Sequence, residues 1–167
     1  LVRSLPASPA AVEAGDGRRE RAETTHVSVI DAAGGAVALT TTLNGGFGSG
    51  QVVPGAGFFM NNEMDDFSTR LGQPNLTGLV QGPGNQVAAG KRMTSSMCPT
   101  IAVKAGRVRL IWGTPGGSTI ITTNLQLLWR VLLRGQPLTV AQEAPRFHQQ
   151  DLPARMVIEE HLRPEER

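Results

Sequence analysis

Two adjacent threonines open a strand-like stretch, the run Thr24–Asp31 with the sequence TTHVSVID. A threonine hydroxyl is a weak nucleophile unless a neighbouring group removes its proton. When a chain is cleaved just before a threonine, the freed α-amine titrates near neutral pH and can act as that base. The run therefore allows a nucleophile at Thr24 or at Thr25, and residue chemistry alone does not choose between them. Taken alone, the run is more typical of ordinary strand threonines.

Two carboxylates three positions apart, Glu63 and Asp66, follow the amides Asn61 and Asn62. Both carboxylates can converge on one cation at this spacing. Two like charges so close repel each other and raise a pKa, so the arrangement makes sense when a cation bridges them. The segment predicts a cation-binding site, and the alternative is a solvent-exposed acidic loop. Asp65 is predicted to face solvent or to have a structural role.

Small residues that can offer hydrogen-bond donors occur at two later places. Ser95 and Ser96 precede a proline, and Gly116 and Gly117 precede a predicted helix. Backbone amides at a helix N-terminus point outward with a favourable dipole, which suits an oxyanion that forms at an attacked carbonyl. The structural explanation of the glycines is a close strand-to-helix turn, and both explanations can hold together.

Five segments in a fixed order carry a resemblance to a known family. They read TTHVSVID, TTTLN, NNEMDDF, SSMCPT and GTPGGS. Together they resemble the catalytic subunit of the γ-glutamyltranspeptidases, which are N-terminal-nucleophile hydrolases, from Thr24 to about Leu152. The resemblance implies the four-layer αββα sandwich of that superfamily, an α+β fold that is incomplete in this chain. It also implies an enzyme of the γ-glutamyltransferase or glutathione hydrolase type.

The resemblance assigns the chemical steps to particular residues. Thr24 is the nucleophile, and its amine is released by autocleavage of the Glu23–Thr24 bond. Thr42 resembles the family threonine that hydrogen-bonds and orients the nucleophile's hydroxyl. Gly116 and Gly117 match the pair whose backbone amides form the oxyanion hole.

The resemblance also assigns substrate binding. A γ-glutamyl group carries an α-ammonium, which needs acceptors, and an α-carboxylate, which needs donors. The acceptors are matched by Asn44, Glu63 and Asp66. The donors are matched by Ser95 and Ser96.

Partners and processing follow from the same family. Residues 1–23 are expected to be the flexible end of a large-subunit segment, and residues 24–167 a C-terminally truncated small catalytic subunit. The expected partners are the large subunit of the same precursor, glutathione and other γ-glutamyl compounds, and amino-acid or peptide acceptors. In the family, an arginine of the large subunit completes the carboxylate pocket. Family members imply a periplasmic, secreted or cell-surface location, and no cofactor is expected.

The long loop after Phe67 corresponds to the lid that covers the substrate in some relatives. In those relatives a tyrosine reaches across to the asparagine that Asn44 matches. This chain has no tyrosine, and Thr77 stands near that place. The sequence therefore predicts a more open site.

Hydrophobic patterning predicts the elements that position these residues. His26–Asp31 alternates as a half-buried strand does, with Val27 and Val29 on one face, and should pair with the next strand as a hairpin. Such a hairpin would bring Thr42 and Asn44 near the start of the first strand. The strands predicted after the first are Ala36–Leu43, Gly57–Met60, Thr100–Val103 and Arg107–Trp112.

One long helix is predicted over Ser118–Leu133, ended by Gly135 and Pro137. A capping box in Thr139–Gln142 predicts a short second helix. The glycine- and proline-rich segment from 68 to 93 is predicted to be a single loop.

Composition excludes several classes of function. The formal net charge is +2 without a basic stripe, so a nucleic-acid partner is not expected. No apolar run has the length of a membrane span, and no signal peptide is recognisable. No spacing of histidine, cysteine and carboxylates indicates a metal site, and the single Cys98 is predicted to be a buried small side chain.

Two alternatives stay open at this point. A glutaryl-type acylase of the same superfamily would not need acceptors for an ammonium, so Glu63 and Asp66 argue against it. An inactive fragment that only pairs with a large subunit is the second alternative.

Overall fold

The computed structural model describes residues 2–6, 13–14 and 23–159, in which helices and antiparallel strands are mixed along the chain. The strands are β1 Val2–Pro6, β2 Glu13–Ala14, β3 Glu23–Ile30, β4 Ala36–Asn44, β5 Thr100–Lys104, β6 Arg107–Trp112, β7 Phe147–Gln149 and β8 Arg155–Glu159. The α-helices are α1 Ile120–Leu128 and α2 Leu138–Glu143. The chain divides into two compact units: a hairpin unit, Glu20–Ile120, and a terminal unit, Leu1–Arg19 with Ile121–Arg167.

Strands β3 and β4 form the predicted antiparallel hairpin. Asp31 closes its turn, because its Oδ1 accepts hydrogen bonds from the backbone N–H groups of Ala33 at 2.9 Å and Gly35 at 2.7 Å. Gly34 has a φ of 90°, in the left-handed region that glycine adopts without strain. The observed strands extend beyond the predicted bounds, β3 to Glu23 and β4 to Asn44.

The apolar face of this hairpin is open. The register places Val27 opposite Leu39 and Val29 opposite Val37. The two valines share a face as predicted, yet Val27 is 45% and Val29 52% exposed. The partly buried face of β3 is instead that of Thr24. The described residues of the hairpin unit leave the valine face uncovered, which single-strand alternation cannot reveal.

The chain between β4 and β5 is irregular. The strand predicted at Gly57–Met60 is wrong, because only one isolated bridge forms there, between Val52 and Phe59. Gly55 and Gly57 both have positive φ angles, which interrupt a strand.

The long loop predicted from 68 to 93 is confirmed in outline. Within it the chain forms an isolated bridge between Pro74 and Val80. A 3₁₀ turn follows at Pro83–Asn85. These short features hold the loop at two points without making it a regular element.

Strands β5 and β6 form the second predicted pair, and β6 also contacts β3 and β4. Leu110 and Trp112 on β6 are buried, as are Phe67 and Ile120. These side chains form the apolar core of the hairpin unit.

The terminal unit is built on a four-stranded antiparallel sheet in the order β2-β1-β8-β7. At β7, the side-chain amide of Gln126 pairs with the backbone of Phe147 in both directions, donating at 2.7 Å and accepting at 3.2 Å. An ion pair of 2.9 Å joins Arg146 to Glu159 across the end of the sheet. The terminal unit thus combines backbone pairing with side-chain ties from α1.

The predicted helix at Ser118–Leu133 forms in three pieces. A 3₁₀ turn at Gly117–Thr119 leads into α1, and a π-helical segment follows at Trp129–Leu133. Gly135, with a φ of 65°, and Pro137 follow the helix as predicted. In the part of the chain that the structure describes, no helix has the length and apolarity needed to cross a membrane.

The burial of α1 differs from its apolar pattern. Ile121 and Leu125 are 54% and 62% exposed, whereas Asn124 and Gln126 are buried. Gln126 faces inward because its amide completes the pairing of β7. The capping box predicted for α2 is wrong, since Pro137 occupies the N-cap and no side chain caps the helix.

Candidate active site

A cleft of about 320 Å³, open to solvent, lies within the hairpin unit. Three of its lining residues, Thr77, Met97 and Ile120, were not assigned a role from the sequence. The other lining residues are all sequence-predicted site residues: Thr24, Thr42, Asn44, Glu63, Asp66, Ser95, Ser96 and Gly117. Segments far apart in sequence thus converge on one cleft.

At the start of β3, the two threonines Thr24 and Thr25 lie in different surroundings. Thr24 is paired with Thr42, and its Oγ1 donates a 3.2 Å hydrogen bond to the Oγ1 of Thr42. The backbone N–H of Asn44 donates to that same Thr42 oxygen at 2.9 Å. Thr25 is exposed and, because successive strand residues point to opposite faces, lies on the face away from Thr24. Thr24 is therefore the threonine that the fold directs into the cleft.

The Glu23–Thr24 bond lies at an irregularity of the hairpin. Glu23 pairs with Asn44, and the register shifts between Glu23 and Thr24. Asn44 itself has a φ of 70°, an uncommon left-handed conformation for a residue with a side chain. The regular ladder therefore breaks at the predicted cleavage position, on both strands.

Asn62 fastens the end of β4 to the segment that carries the carboxylates. Its backbone oxygen accepts a 3.4 Å bond from Nδ2 of Asn44, and its Oδ1 accepts a 2.8 Å bond from the N–H of Gly45. Its own N–H donates to the oxygen of Leu43 at 3.1 Å. Sequence reasoning assigned no role to Asn62, although its place beside the acidic residues was the available signal.

Glu63 and Asp66 form a carboxyl pair on a single 3₁₀ turn. Burial, then the charge of Asp66, and then a hydrogen bond with Asp66 raise the pKa of Glu63 to about 7. Burial also raises the pKa of Asp66, against the opposing effect of the hydrogen bond from Glu63. The expected repulsion between the two groups is therefore present.

One oxygen of this pair has no partner. Glu63 is 8% exposed, and its Oε1 is buried without a hydrogen bond from any described residue. Buried polar atoms in native proteins are nearly always hydrogen-bonded, so an orphaned carboxyl oxygen in a cleft marks a place for a donor. Asp65, by contrast, accepts a 2.7 Å bond from the N–H of Leu76, which is a structural role.

The serine segment lines the cleft and has no regular secondary structure. Ser95 is exposed, and its Oγ accepts a 3.2 Å bond from the N–H of Met97. Ser96 is partly buried. The two hydroxyl groups line the same cleft as the carboxyl pair, so the cleft offers donors as well as acceptors.

The two glycines make the turn into the helix. Gly116 has a φ of 140° and Gly117 a φ of 56°, and the oxygen of Gly116 accepts a 2.8 Å bond from Oγ1 of Thr119. A Cβ atom on Gly116 would lie 2.6 Å from that Thr119 oxygen. Gly117 lines the cleft, whereas Gly116 stands just before it. Both glycines are thus required by the turn itself, whatever else their amides do.

Thr77 enters the cleft from the long loop. Its Oγ1 donates to Oδ1 of Asn75 at 2.9 Å, and its backbone oxygen accepts a 3.3 Å bond from Oγ of Ser118. The residue at this place is thus short and held back against its own loop.

The remaining chemically capable residues have structural partners. His26 contacts Thr40 at 2.8 Å and Ser28 at 3.0 Å, and its ring closely approaches Gly113. Cys98 is partly buried. Among the described residues, no three or more histidine, cysteine or acidic side chains are grouped to hold a metal ion.

Comparisons with known proteins agree with this geometry. A family profile described as gamma-glutamyltranspeptidase matches residues 3–167. Over 146 residues the chain is 49% identical to the glutathione hydrolase proenzyme of Escherichia coli K12, covering 87% of this chain and 25% of the relative. It is 50% identical over 131 residues to the glutathione hydrolase proenzyme of Pseudomonas aeruginosa, covering 78% and 24%. The chain thus spans about a quarter of the length of these relatives.

Solved structures show the same similarity. A Helicobacter pylori gamma-glutamyltranspeptidase mutant is 52% identical, with a TM-score of 0.74 over 77% of this chain and 69% of that one. The Bacillus anthracis transpeptidase CapD is 28% identical, with a TM-score of 0.53 over 76% and 62%. The predicted class is confirmed: the fold is an incomplete α+β fold of the N-terminal-nucleophile hydrolases. The chain belongs to the gamma-glutamyltranspeptidase family.

Proposed function

We propose that this chain carries the catalytic centre of an enzyme that transfers γ-glutamyl groups from glutathione or related amides. The acyl group passes from the substrate to Thr24 and then to water, an amino acid or a short peptide. The single observation that carries the proposal is the Glu63–Asp66 carboxyl pair, with Glu63 buried, which lines the same cleft as Thr24. The relatives named glutathione hydrolase support the same substrate class.

Activation begins with the Glu23–Thr24 bond. Thr24 Oγ1 attacks the carbonyl carbon of Glu23, so that an ester forms as the peptide C–N bond breaks. Water then hydrolyses the ester, which leaves a carboxylate on Glu23 and a free α-amine on Thr24. The 3.2 Å hydrogen bond to Thr42 orients the attacking hydroxyl in this step and in turnover.

Turnover uses the same oxygen with its new base. The α-amine of Thr24 takes the hydroxyl proton as Oγ1 attacks the γ-carbonyl, and the proton then passes to the leaving amine. The amides of Gly116 and Gly117 stabilise the oxyanion of the tetrahedral intermediate. An amine acceptor or water attacks the resulting ester and restores Thr24.

Substrate recognition divides the cleft into two groups of side chains. The ammonium-binding group consists of Asn44, Glu63 and Asp66. The orphaned carboxyl oxygen of Glu63 accepts from the substrate's α-ammonium. The carboxylate-binding group consists of Ser95 and Ser96, which donate to the substrate's α-carboxylate. A glutaryl substrate has no ammonium and would leave the ammonium-binding group of the cleft without its cation. The acylase alternative is therefore disfavoured.

The complete enzyme is proposed to be a heterodimer. Residues 1–23 belong to the end of the large subunit and residues 24–167 to the small subunit, with the cut at Glu23–Thr24. A large-subunit arginine completes the carboxylate-binding group, so the 167 residues alone are expected to be inactive. A periplasmic, secreted or cell-surface location follows from the family.

The test uses the complete precursor polypeptide that contains these residues, as wild type and as Thr24→Ala. Intact mass reports self-cleavage, and release of 4-nitroaniline from γ-glutamyl-4-nitroanilide reports turnover. We expect cleavage between Glu23 and Thr24, and turnover, in the wild type only. Equal turnover by both proteins, or full activity of an uncut wild type, would reject the proposal. Preference for glutaryl-4-nitroanilide would favour the acylase instead.

A further inference from the structure

Asn85 ends the 3₁₀ turn Pro83–Asn85 in the long loop and is buried, with 8% of its surface exposed. It does not line the cleft. A buried amide in an irregular loop needs partners for two donors and two acceptor positions. The hydrogen-bond partners of this amide show which segments of the chain it connects.

The side chain of Asn85 bonds in two opposite directions. Its Nδ2 donates to the backbone oxygen of Asp66 at 2.7 Å and to Oε1 of Gln81. Its Oδ1 accepts from Thr94 twice, from the N–H at 3.0 Å and from Oγ1 at 3.1 Å. All the bonding positions of the amide are therefore used.

These partners belong to the two substrate-binding groups. Asp66 is part of the ammonium-binding group, and Thr94 directly precedes Ser95 of the carboxylate-binding group. No strand ladder joins the two segments, since neither lies in a described β-strand. A single side chain therefore links the backbones behind the two groups.

The turn that carries Asn85 is itself braced. Lys91 Nζ donates to the backbone oxygens of Gly84 at 2.6 Å and Gln86 at 3.0 Å, on either side of Asn85. The backbone oxygen of Asn85 also accepts a 2.9 Å bond from Ser68. Asn85 is thus a fixed point from which both segments are held.

We infer that Asn85 is a positioning residue that sets the separation between the ammonium-binding group and the carboxylate-binding group of the cleft. The inference rests on the proposed function. In a γ-glutamyl substrate both charges are attached to one carbon atom, so their separation is fixed covalently. A cleft that selects this substrate must hold its two groups at the matching separation, and Asn85 makes Asp66 and Ser95 move together.

The experiment compares wild type, Asn85→Ala and Asn124→Ala in the complete precursor. Asn124 is an equally buried asparagine that does not line the cleft, so its loss controls for general destabilisation. Each protein is assayed with γ-glutamyl-4-nitroanilide and with glutaryl-4-nitroanilide, which lacks the ammonium. Self-cleavage is followed by intact mass.

For Asn85→Ala we expect kcat/KM to fall about 10- to 100-fold with the γ-glutamyl substrate, because the segments of Asp66 and Thr94 lose their common link. The glutaryl substrate uses the carboxylate-binding group only, so we expect its kcat/KM to change by no more than about 3-fold. We expect the rate of self-cleavage to change as little. Asn124→Ala is expected to keep the wild-type preference. A parallel loss with both substrates, or an unchanged preference, would overturn the inference.

Thr94→Val provides a second route if Asn85→Ala does not fold. It removes the Oγ1 donor, keeps the N–H bond and conserves the shape of the side chain. We expect the preference for γ-glutamyl over glutaryl to fall about 3-fold, and an unchanged preference would contradict the inference. A wild type that does not prefer γ-glutamyl overturns the proposed function and the inference with it, whereas failure of the variants alone overturns only the inference.

Discussion

The β3–β4 hairpin and the loops that face it position their side chains by different physical means. The hairpin uses the backbone ladder, so the pairing that opposes Thr24 to Thr42 needs no particular side chains along the way. The loops have no ladder, and hydrogen-bonded side-chain amides such as those of Asn62 and Asn85 take its place. Positions in the hairpin should therefore tolerate substitution unless they point into the cleft. Supporting positions in the loops should not.

The largest expected effect compares Thr24→Ala with Thr25→Ala. The two residues are neighbours on one strand but lie on opposite faces. We expect Thr24→Ala to abolish self-cleavage and turnover, since it removes the proposed nucleophile, and Thr25→Ala to keep turnover within about 3-fold. Intact mass and 4-nitroaniline release measure both. An inactive Thr25→Ala with an active Thr24→Ala would assign the nucleophile to the other threonine.

Next in size is Asn62→Ala, which removes a loop support without touching the cleft. The N–H of Gly45 loses its acceptor, and the end of β4 loses its tie to the carboxyl pair. We expect kcat/KM for the γ-glutamyl substrate to fall about 10-fold, in line with about 0.5–1.5 kcal/mol for the loss of a hydrogen bond. Asn124→Ala is the control. Unchanged kinetics would show that the loop is held by other contacts.

A pH profile tests the carboxyl pair. Since the pKa of Glu63 is raised to about 7, its side chain is mostly neutral at pH 6 and mostly ionised at pH 8. An ammonium binds the ionised form, so we expect KM for the γ-glutamyl substrate to fall up to about 10-fold across this range, with proton release on binding. Glu63→Gln should flatten the profile. A profile that is the same in both proteins would exclude Glu63 as the titrating group.

Folding stability should respond to Glu63 in the opposite direction. The pKa of this group rises from 4.5 to about 7, so its contribution is fully present below pH 4.5 and is lost as the pH rises through 7. In Glu63→Gln this loss should be absent. Thermal unfolding at several pH values measures it.

The smallest effect on activity is expected from Asp31→Ala at the far end of the hairpin. Its carboxylate holds the turn through two backbone N–H groups. We expect the free energy of unfolding to fall by about 1 kcal/mol and the KM to stay unchanged, because the ladder still sets the register at Thr24. Urea unfolding and steady-state kinetics check these outcomes. A raised KM would show that the turn controls the cleft.

Much of the fold was predictable where local patterning governs it. Strands β3 to β6 and the helical stretch after Gly117 lie close to their predicted places, because alternation, turn glycines and helical spacing act over a few residues. The strand predicted at Gly57–Met60 failed, since an apolar run becomes a strand only when a partner is available. Which face of β3 and of α1 is buried could not be predicted, because burial depends on what packs against an element.

The sequence by itself determined the family and most of the residues that line the cleft, because residue types in a fixed order are a chemical signature that needs no coordinates. Only the tertiary structure showed that the pleat turns Thr24 towards the cleft and Thr25 away from it. It alone revealed the orphaned oxygen of Glu63 and the link through Asn85. Burial and hydrogen bonding join residues that are distant along the chain, and no local pattern encodes that distance.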